Sequence, residues 1–320
     1  MIRTGFPTEG PTLGEVGEAE IIRAIVAAAP SSLNGDDAAV FRPSAPNSRV
    51  VAATDMLVWG QHFLPSYTTP RQLGRKAVVQ NFADIEAMGA RPIAALLGIS
   101  APESLPVAVV AQLAEGIFST TEEYAAELVG GDVTKGEQLV ISVTAIGSLG
   151  GNRAPLSLDR ARAGQSLVAH GRIGYSAAGL DLLRSGRKIP LEFAELVDAH
   201  QAPRLTPGRG VVARAAGASA MTDNSDGLVA DVSTMAERSG VQIDLDREAL
   251  EPDDLQIAAG AFLGVDPWSW VLGGGEDHTL LGTIDADAPA GFRRIGTVCK
   301  GSGVTLGGRK PQSGSGWESF

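Results

Sequence analysis

The chain has little cysteine, few aromatic residues and a deficit of positive charge. Cys299 is the single cysteine among 320 residues, which excludes a disulfide framework and a cysteine-based zinc site. A net charge of −11, from 26 basic and 37 acidic residues, argues against nucleic acid as the main partner. Apolar runs are far shorter than a membrane span, and the opening "MIRTGFPTEG" lacks a signal-peptide core. We therefore expect a cytoplasmic protein with no nucleic-acid or membrane partner.

The standard nucleotide and hydrolase signatures are also missing. The sequence contains no G-x-x-x-x-G-K-[ST], which excludes a P-loop enzyme, and no strand-linked G-x-G-x-x-G opens a helix in the first βαβ unit. It contains no H-E-x-x-H and no G-x-S-x-G nucleophile elbow. Any phosphoryl transfer would therefore depend on metal ions and positioning, without a covalent step.

Hydrophobic residues make up 44% of the chain, enough for a large core and two domains, and glycine is abundant at 40 residues. Strand and helix patterns alternate in both halves, which predicts an α/β or α+β class with mixed sheets. The stretch "GGNRAPLSLDRARAG" lacks periodicity, so we place the domain boundary there, giving domains 1–152 and 153–320.

Capping signals locate several elements. Thr69, Pro70 and Gln72 form a capping box with proline in the first turn, and Gly89 stops this helix. We also predict one helix over "GEVGEAEIIRAIVAAA", a helix from about Val107 to Leu128, and a strand "SRVVAATD" that ends at its carboxylate.

Carboxylates recur beside glycines or at predicted strand ends. They lie in "NGDDAAV" (Asp36, Asp37), "AATDML" (Asp55), "NFADIEAMGA" (Asp84), "LVGGDVT" (Asp132), "TDNSDGL" (Asp223, Asp226) and "GGEDHT" (Glu276, Asp277). Taken singly, an Asp next to Gly is more often a turn or a cap. Asp84 differs because it lies inside a predicted helix, where an unpaired Asp is unfavourable. The alternative, a solvated Asp84 beside a buried face of Val78, Phe82 and Ile85, stays open.

As a set, these loops point to a cation site. Two carboxylates about 4 Å apart repel by roughly 4 kcal/mol at an effective dielectric near 20, so converging loops require cations between them. Oxygen ligands without cysteine select Mg²⁺ or Ca²⁺, and Mg²⁺ leaves coordination positions for substrate phosphates. Glycines let backbone N–H groups approach such phosphates, and Ser225 with Asp226 would open a helix whose N-terminus favours anions.

The order of the motifs resembles a known family. The series "GDDAAV", "ATDMLVWGQHF", "GRKAVVQNFADIEAMGARP", "GGDVTKG", "DNSDGL", "GGEDH" and "GWESF" is similar to thiamine-monophosphate kinases, of the aminoimidazole ribonucleotide synthetase superfamily. The resemblance runs from about Leu13 to Phe320. It implies transfer of phosphate from ATP to thiamine monophosphate with several Mg²⁺ ions. It also implies a homodimer that pairs through the sheet of the N-terminal, ATP- and Mg-binding domain, with a C-terminal α/β domain closing over the site.

The resemblance also assigns roles to individual residues. Metal ligands fall on Asp37, Thr54, Asp55, Asp84, Asp132, Asp223 and Asp226, with Asp84 the most critical and no covalent catalyst. ATP contacts fall on Gly131, Asp132 and Ser225, and substrate contacts on His62, Glu276 and Trp317. Gly273 to Gly275 would let the chain turn and aim Glu276 at a cationic ring, while Asp277 would hold the loop by hydrogen bonds.

Some positions depart from the family pattern. Ala83 stands where Ser is usual, Asn224 replaces an apolar residue, and His278 stands where Tyr is common. Leu158 occupies the place of an ATP-contacting Arg, a role that Arg160 or Arg153 would take over.

Two rival functions stay open. A sibling enzyme is one, although selenophosphate synthetase-like proteins need an N-terminal reactive group and hydrogenase-maturation relatives a C-terminal Cys, where this chain ends Ser319-Phe320. The purine-pathway synthetase differs at "GGEDH" and the terminal "GW". A non-enzymatic nucleotide or divalent-ion sensor is the other rival, and turnover discriminates it.

Overall fold

The computed structural model describes residues 4–31, 33, 47–285 and 287–311. The chain folds as two compact units, the first within Met1–Ile85 and Arg91–Asn152 and the second within Glu86–Ala90 and Arg153–Phe320. Both units combine helices with a β-sheet, so the predicted α/β class with mixed sheets is confirmed. Over the described ranges, no helix has both the length and the apolar character needed to span a bilayer.

Unit 1 is built on one sheet. In chain order its elements are α1 (Leu13–Val16), α2 (Glu18–Ala28), β1 (Arg49–Val58), α3 (Pro70–Ala87), β2 (Arg91–Ala101), α4 (Val107–Glu123), β3 (Glu127–Lys135) and β4 (Val140–Leu149). The described strands pair in the order β1-β4-β2-β3, with β4 antiparallel to both neighbours and β3 parallel to β2. β1 and β3 are therefore the edge strands of this sheet.

Helix α3 begins at the predicted capping box. The backbone N–H and hydroxyl of Thr69 both donate to Gln72 Oε1 at 2.9 Å, and the Gln72 N–H donates to Thr69 Oγ1 at 3.3 Å. Glycines then let α3 and α4 pack backbone to backbone. A Cβ atom on Gly74 would lie 2.2 Å from the Leu113 carbonyl oxygen, so no larger residue fits there without a shift.

Three predicted boundaries in unit 1 were wrong. The first helix is interrupted at Gly17, whose φ of +76° separates α1 from α2. Helix α4 ends at Glu123 rather than near Leu128, because Ala125 adopts φ +50° and the chain then extends into β3. Strand β1 continues past Asp55 to Val58, since β4 pairs with it along its whole length.

Unit 2 is built on a longer sheet. In chain order its elements are β5 (Ser166–His170), α5 (Tyr175–Arg184), a 3₁₀ turn (Leu191–Phe193), α6 (Ala194–Gln201), α7 (Arg209–Ala216), β6 (Ala220–Asp223), α8 (Leu228–Ser239), β7 (Gln242–Leu245), α9 (Asp254–Leu263), α10 (Trp268–Gly273), β8 (Leu280–Ile284), β9 (Arg293–Cys299) and β10 (Gly303–Leu306). The described strands pair in the order β10-β7-β9-β5-β8-β6, antiparallel except for β10 with β7. Helix α8 has an apolar stripe of Leu228, Val232 and Met235. Each of these side chains is 0% exposed and packs in the core of this unit.

The short segment 86–90 is held in unit 2 by a buried carboxylate. Glu86 is 0% exposed, and its two oxygens accept the N–H groups of Gly208 and Gly210, each at 2.6 Å. Gly208 is the residue before α7 and Gly210 is the second residue of α7. Glu86 therefore caps the N-terminus of that helix. Burial raises the pKa of Glu86 to about 7, against the lowering effect of the two N–H groups.

Candidate functional site

Asp55 and Asp84 each lie next to Asn81 in unit 1, Asp55 by a hydrogen bond and Asp84 by its place on the same helix face. The Asp55 backbone N–H donates to Asn81 Oδ1 at 2.9 Å, and the amide of Asn81, 1% exposed, donates to the Ala77 carbonyl at 2.9 Å. Asp84 lies three residues beyond Asn81 on the same face of α3. Asp84 is half-buried, whereas Phe82 and Ile85 are 0% exposed. The carboxylate of Asp84 therefore stands at the border of the buried face.

Thr54 and Asp55 are consecutive residues of β1, so their side chains point to opposite faces of the sheet. The Thr54 hydroxyl donates to the Val143 carbonyl at 3.1 Å and lies 3.0 Å from Thr144 Oγ1 on β4. A metal ion at the Asp55 carboxylate would therefore meet Thr54 through its backbone, not its hydroxyl.

Asp132 lies on the other edge strand of the same sheet. Gly131 and Asp132 pair with Leu97 and Gly98 of β2, next to a bulge, and a Cβ on Gly131 would lie 1.9 Å from the Leu97 carbonyl oxygen. Glycine is thus required at this position by the close approach of two backbones. Two strands separate Asp132 from Asp55, about 14 Å at the usual strand spacing. The nearby Lys135 pairs with Glu103 at 2.9 Å.

His62 lies in the turn that follows β1. The ring Nδ1 of His62 accepts the backbone N–H of Val58 at 3.1 Å, and the backbone N–H of His62 donates to the Val58 carbonyl at 2.9 Å. Because Nδ1 accepts here, the proton of the neutral ring is on Nε2. The turn is supported by packing of Phe63 against Trp59, with ring centroids 6.5 Å apart. His62 is therefore fixed in place, with its ring only partly exposed.

The strongest convergence of predicted residues is in unit 2, where the "TDNSDG" and "GGEDHT" segments pair side by side. The Asn224 N–H donates to the Thr279 carbonyl (2.8 Å), the His278 N–H to the Asn224 carbonyl (3.0 Å), and the Glu276 N–H to the Ser225 carbonyl (2.8 Å). Both Glu276 and His278 have positive φ, +61° and +52°. These two acidic loops therefore lie side by side in unit 2.

Glycines make this pairing possible. A Cβ on Gly275 would lie 2.2 Å from the Ser225 carbonyl oxygen, and one on Gly274 2.4 Å from the Trp270 carbonyl oxygen. A Cβ on Gly227, which has φ +123°, would lie 2.7 Å from the Gly273 carbonyl oxygen, and Gly227 directly precedes the first residue of α8. The prediction that Ser225 and Asp226 begin this helix was therefore off by two or three residues, because the helix begins at Leu228.

Asp223, the last residue of β6, is buried against a histidine. Its Oδ2 lies 3.0 Å from His278 Nδ1, and the two side chains are 7% and 2% exposed. Asp231, in the first turn of α8, accepts the N–H groups of Asp226 (3.2 Å) and Gly227 (3.1 Å). Burial, with the charges of Asp223 and Asp226, raises the pKa of Asp231 to about 8. Three aspartates therefore share one negative region.

Sequence reasoning missed Asp231 and His200. Asp231 reads as an ordinary first-turn cap, and nothing in its spacing marks its closeness to Asp223. His200, on α6, is 7% exposed, and its Nδ1 lies 3.1 Å from Ser176 Oγ and 3.4 Å from Glu276 Oε2. The Glu276 carboxylate is 32% exposed, so a ligand can reach it, and His200 contacts it on its buried side.

Asp277 holds the loop, as predicted. Its Oδ2 accepts the Gly174 N–H at 2.5 Å and its Oδ1 accepts the Ser176 N–H at 2.8 Å, which caps the N-terminus of α5. Burial raises the pKa of Asp277 to about 7 in spite of these two donors. The side chain of Asp277 thus ties the turn that carries Glu276 to the start of α5.

The linker arginines Arg153 and Arg160 differ in how many of their N–H groups bond to the backbone of this chain. Arg153 donates to the carbonyls of Arg214 (2.6 Å) and Ala215 (2.7 Å), so it closes the C-terminal end of α7. Arg160 is exposed and donates to the Pro155 carbonyl at 3.0 Å. Leu158 packs against the apolar core of unit 2. Of the two, Arg160 keeps more of its donors available for a ligand.

Asp36, Asp37 and Trp317 lie outside the described residues, so their predicted roles stay predictions. Among the residues that are described, no group of three or more His, Cys, Asp or Glu side chains is close enough to hold a metal ion by itself. The described carboxylates instead fall into small sets: Asp55 with Asp84 beside Asn81, and Asp223 with Asp226 and Asp231.

Comparisons with known proteins cover nearly the whole chain. A family model described as AIR synthase related protein, N-terminal domain, matches residues 35–149. The thiamine-monophosphate kinase of Corynebacterium glutamicum is 60% identical over 98% of this chain and 96% of its own length. That of Mycobacterium tuberculosis is 45% identical over 98% and 94%. A solved structure described as AaThiL complexed with AMPPCP and TMP is 33% identical, with a TM-score of 0.76 over 97% of this chain and 99% of that one.

Proposed function

Because the chain belongs to the thiamine-monophosphate kinase family, we propose that it transfers the γ-phosphoryl group of ATP to thiamine monophosphate. The products are thiamine diphosphate and ADP. Membership of this family makes the chain a phosphotransferase. Its choice of substrate and its mechanism belong to the proposal.

One comparison carries the proposal furthest. The solved relative that aligns over 97% of this chain is described as a complex with AMPPCP, an ATP analogue, and with TMP, which in this family is thiamine monophosphate. The pairing of "TDNSDG" with "GGEDHT" supports the same conclusion from within the chain. It places the backbone of Glu276 beside Ser225, which lies between Asp223 and Asp226 in the chain. The segment proposed to meet the cationic ring is thus next to the segment proposed to hold phosphate-bound cations.

The residues present fit Mg²⁺ that is shared with phosphates. Asp223 and Asp226 raise the pKa of Asp231, so these carboxylates repel one another. The described residues offer no complete protein cage for a metal, which suits Mg²⁺, because this ion binds through one or two carboxylates and keeps positions for phosphates and water. When bound, Mg²⁺ would neutralise charge on the transferring phosphoryl group.

We assign the ligands as the sequence predicts. Asp55, Asp84, Asp132, Asp223 and Asp226 would hold several ions, with Asp37 and the backbone of Thr54 completing the set. Asp55 and Asp132 lie on the two edge strands, about 14 Å apart, and the strand register places them on opposite faces of the sheet. They would therefore hold different ions.

The transfer needs no protein nucleophile. A phosphate oxygen of thiamine monophosphate attacks the γ-phosphorus in line as the bond to the β,γ-bridging oxygen breaks, and ADP leaves with that bond's electron pair. The Gly131 backbone, Ser225 and Arg160 would position the triphosphate, and His62, Glu276 and Trp317 the thiamine moiety. The chain's own contribution is thus orientation and charge placement.

A homodimer is part of the proposal and is supported by unit 1. One face of its sheet carries exposed apolar side chains, with Val50 at 77%, Met56 at 55% and Leu96 at 36% exposure. Such a patch on a sheet with a long edge strand favours association with a second copy. Sedimentation of the wild type should give twice the chain mass, and Met56→Asp should give the monomer. A cytoplasmic location completes the proposal, since ATP is supplied there.

Turnover distinguishes the proposal from its rivals. The protein is mixed with Mg²⁺, ATP and thiamine monophosphate, and thiamine diphosphate is separated by chromatography and detected by fluorescence after oxidation. We expect product only when all three components are present, and none with thiamine in place of its monophosphate. Nucleotide binding with no product would indicate a sensor. ATP hydrolysis that ignores thiamine monophosphate would indicate a sibling enzyme.

A further inference from the structure

A buried pair in unit 2 links the two acidic loops. Asp223 ends β6, His278 precedes β8 by two residues, and Asp223 Oδ2 lies 3.0 Å from His278 Nδ1. Both side chains are almost completely buried, at 7% and 2% exposure. A carboxylate only accepts hydrogen bonds, so the imidazole Nδ1–H is the donor.

The backbone fixes the direction of this ring. His278 adopts φ +52°, and its N–H donates to the carbonyl of Asn224, the residue next to Asp223. The segment that carries the imidazole is therefore tied to the segment that carries the carboxylate, independently of the side-chain bond. Within the described part of the chain, Nε2 of His278 is buried and makes no hydrogen bond. The bond to Asp223 is thus the polar contact that its ring makes there.

We propose that His278 is a positioning residue that fixes the orientation of Asp223 for metal binding. The inference rests on the proposed function, in which Asp223 is a metal ligand. Rotation of a carboxylate about its last torsion is soft, so a free Asp exchanges its two oxygens readily. A donor held against Oδ2 removes that freedom and directs Oδ1 to the ligand. Partners of this kind change metal affinity by about 10–100-fold when removed.

The surrounding charges give the pair a second effect. Asp231 lies close enough to Asp223 and Asp226 to feel the charge of both, and Glu276 and Asp277 directly precede His278 in the chain. A carboxylate buried among other carboxylates is costly without a hydrogen-bond donor. His278 supplies that donor from the opposite loop. It therefore helps to keep Asp223 ready to bind a cation before the cation arrives.

The test distinguishes the hydrogen bond that His278 donates to Asp223 from the packing of the His278 side chain. His278→Asn places an amide nitrogen near the position of Nδ1, and Asn tolerates positive φ. His278→Gln places its amide near Nε2, and His278→Leu fills space without a donor. The full-length protein is titrated with Mn²⁺ in the presence of AMPPCP, with free Mn²⁺ measured by electron paramagnetic resonance. Metal-free melting temperatures report folding for each variant.

We expect His278→Asn to bind Mn²⁺ within about threefold of wild type, and His278→Gln and His278→Leu to bind about 10–100-fold more weakly. In an Asp223→Asn background, His278→Leu should cause little further loss, because its effect passes through Asp223. If His278→Leu does not fold, the Mn²⁺ affinities of His278→Asn and His278→Gln still test the proposal, because equal affinities in these two variants would contradict it.

Three results would overturn the inference. They are wild-type affinity in His278→Leu, an undiminished loss when His278→Leu is added to Asp223→Asn, and a wild type that binds no Mn²⁺ with AMPPCP. Failure of the proposed function is seen separately, as Mn²⁺ binding by a wild type that makes no thiamine diphosphate. The titration contains no thiamine monophosphate, so the two failures are distinguishable.

Discussion

The change Asp277→Asn tests how the loop that carries Glu276 is held. In the wild type both carboxylate oxygens accept a backbone N–H, from Gly174 at 2.5 Å and Ser176 at 2.8 Å. An amide offers one acceptor oxygen and turns its NH₂ group toward the other donor. A buried N–H group without an acceptor costs about 1–3 kcal/mol. We therefore expect Asp277→Asn to lower the free energy of unfolding.

The loss should depend on pH, because burial raises the pKa of Asp277 from 3.8 to about 7. The folded state then binds this proton more tightly than the unfolded chain does. Between about pH 4 and pH 7 the wild type loses stability as pH rises, by at most about 1.4 kcal/mol per pH unit. Because Asp277 is half-buried, water screens part of this effect, and we expect about 1–2 kcal/mol in total.

Urea unfolding of wild type and Asp277→Asn at half-unit steps from pH 4 to pH 8 measures both effects. The variant should be less stable near pH 5 and approach the wild type near pH 8. Asp246→Asn is the matched control, since exposed Asp246 also accepts two backbone N–H groups, from Glu248 and Ala249. It should cost less than about 0.5 kcal/mol, because both N–H groups bond to the one oxygen Oδ1, which an amide keeps, and Asn caps about as well as Asp. A difference for Asp277→Asn that is flat or grows with pH would refute the reasoning.

Three further predictions concern turnover and folding. Asp84→Asn should abolish turnover and change the unfolding free energy by less than about 1 kcal/mol, because it removes charge at nearly constant volume; activity near wild type would remove Asp84 from the metal set. Glu276→Gln should raise the Kd for thiamine monophosphate about tenfold or more and that for ATP much less, and equal shifts in calorimetry would contradict a substrate role. Gly275→Ala should cost about 1–3 kcal/mol in urea unfolding, since its Cβ would lie 2.2 Å from the Ser225 carbonyl oxygen. The control Gly98→Ala meets nothing nearer than 3.6 Å and should be nearly neutral.

Local signals in the sequence located many of the elements. The capping box at Thr69 and Gln72 defines where α3 begins, because its hydrogen bonds are made within three residues. Gly186 and Gly240 mark helix ends in the same way, and both have φ +64°. The pattern of residues 107–128 misled, because no glycine or proline follows Gly116 in this range and the left-handed Ala125 ends the helix. Local hydrogen bonds close the helix there, since the Ala126 N–H donates to the Thr121 carbonyl at 2.9 Å, and Ala is a residue type that does not signal a left-handed position.

The candidate site was predictable in its residue types and less so in its supports. Carboxylates beside glycines marked the loops at Asp223 and Glu276 as members of one acidic set, and the backbones of these two loops pair in the structure. The partners that hold them, His278 and His200, were not predicted from spacing. Their contacts join segments 55 and 76 residues apart, and no local pattern encodes such a meeting. The role of every predicted ligand stays a prediction until it is measured.

The central claim is that this chain joins the phosphate of thiamine monophosphate to the γ-phosphoryl group of ATP. The most direct measurement follows both products in one reaction, with thiamine diphosphate and ADP quantified from the same samples over time. The account predicts that the two appear in equal amounts, without free phosphate and only with Mg²⁺ present. ADP formed together with inorganic phosphate, with no thiamine diphosphate, would contradict it.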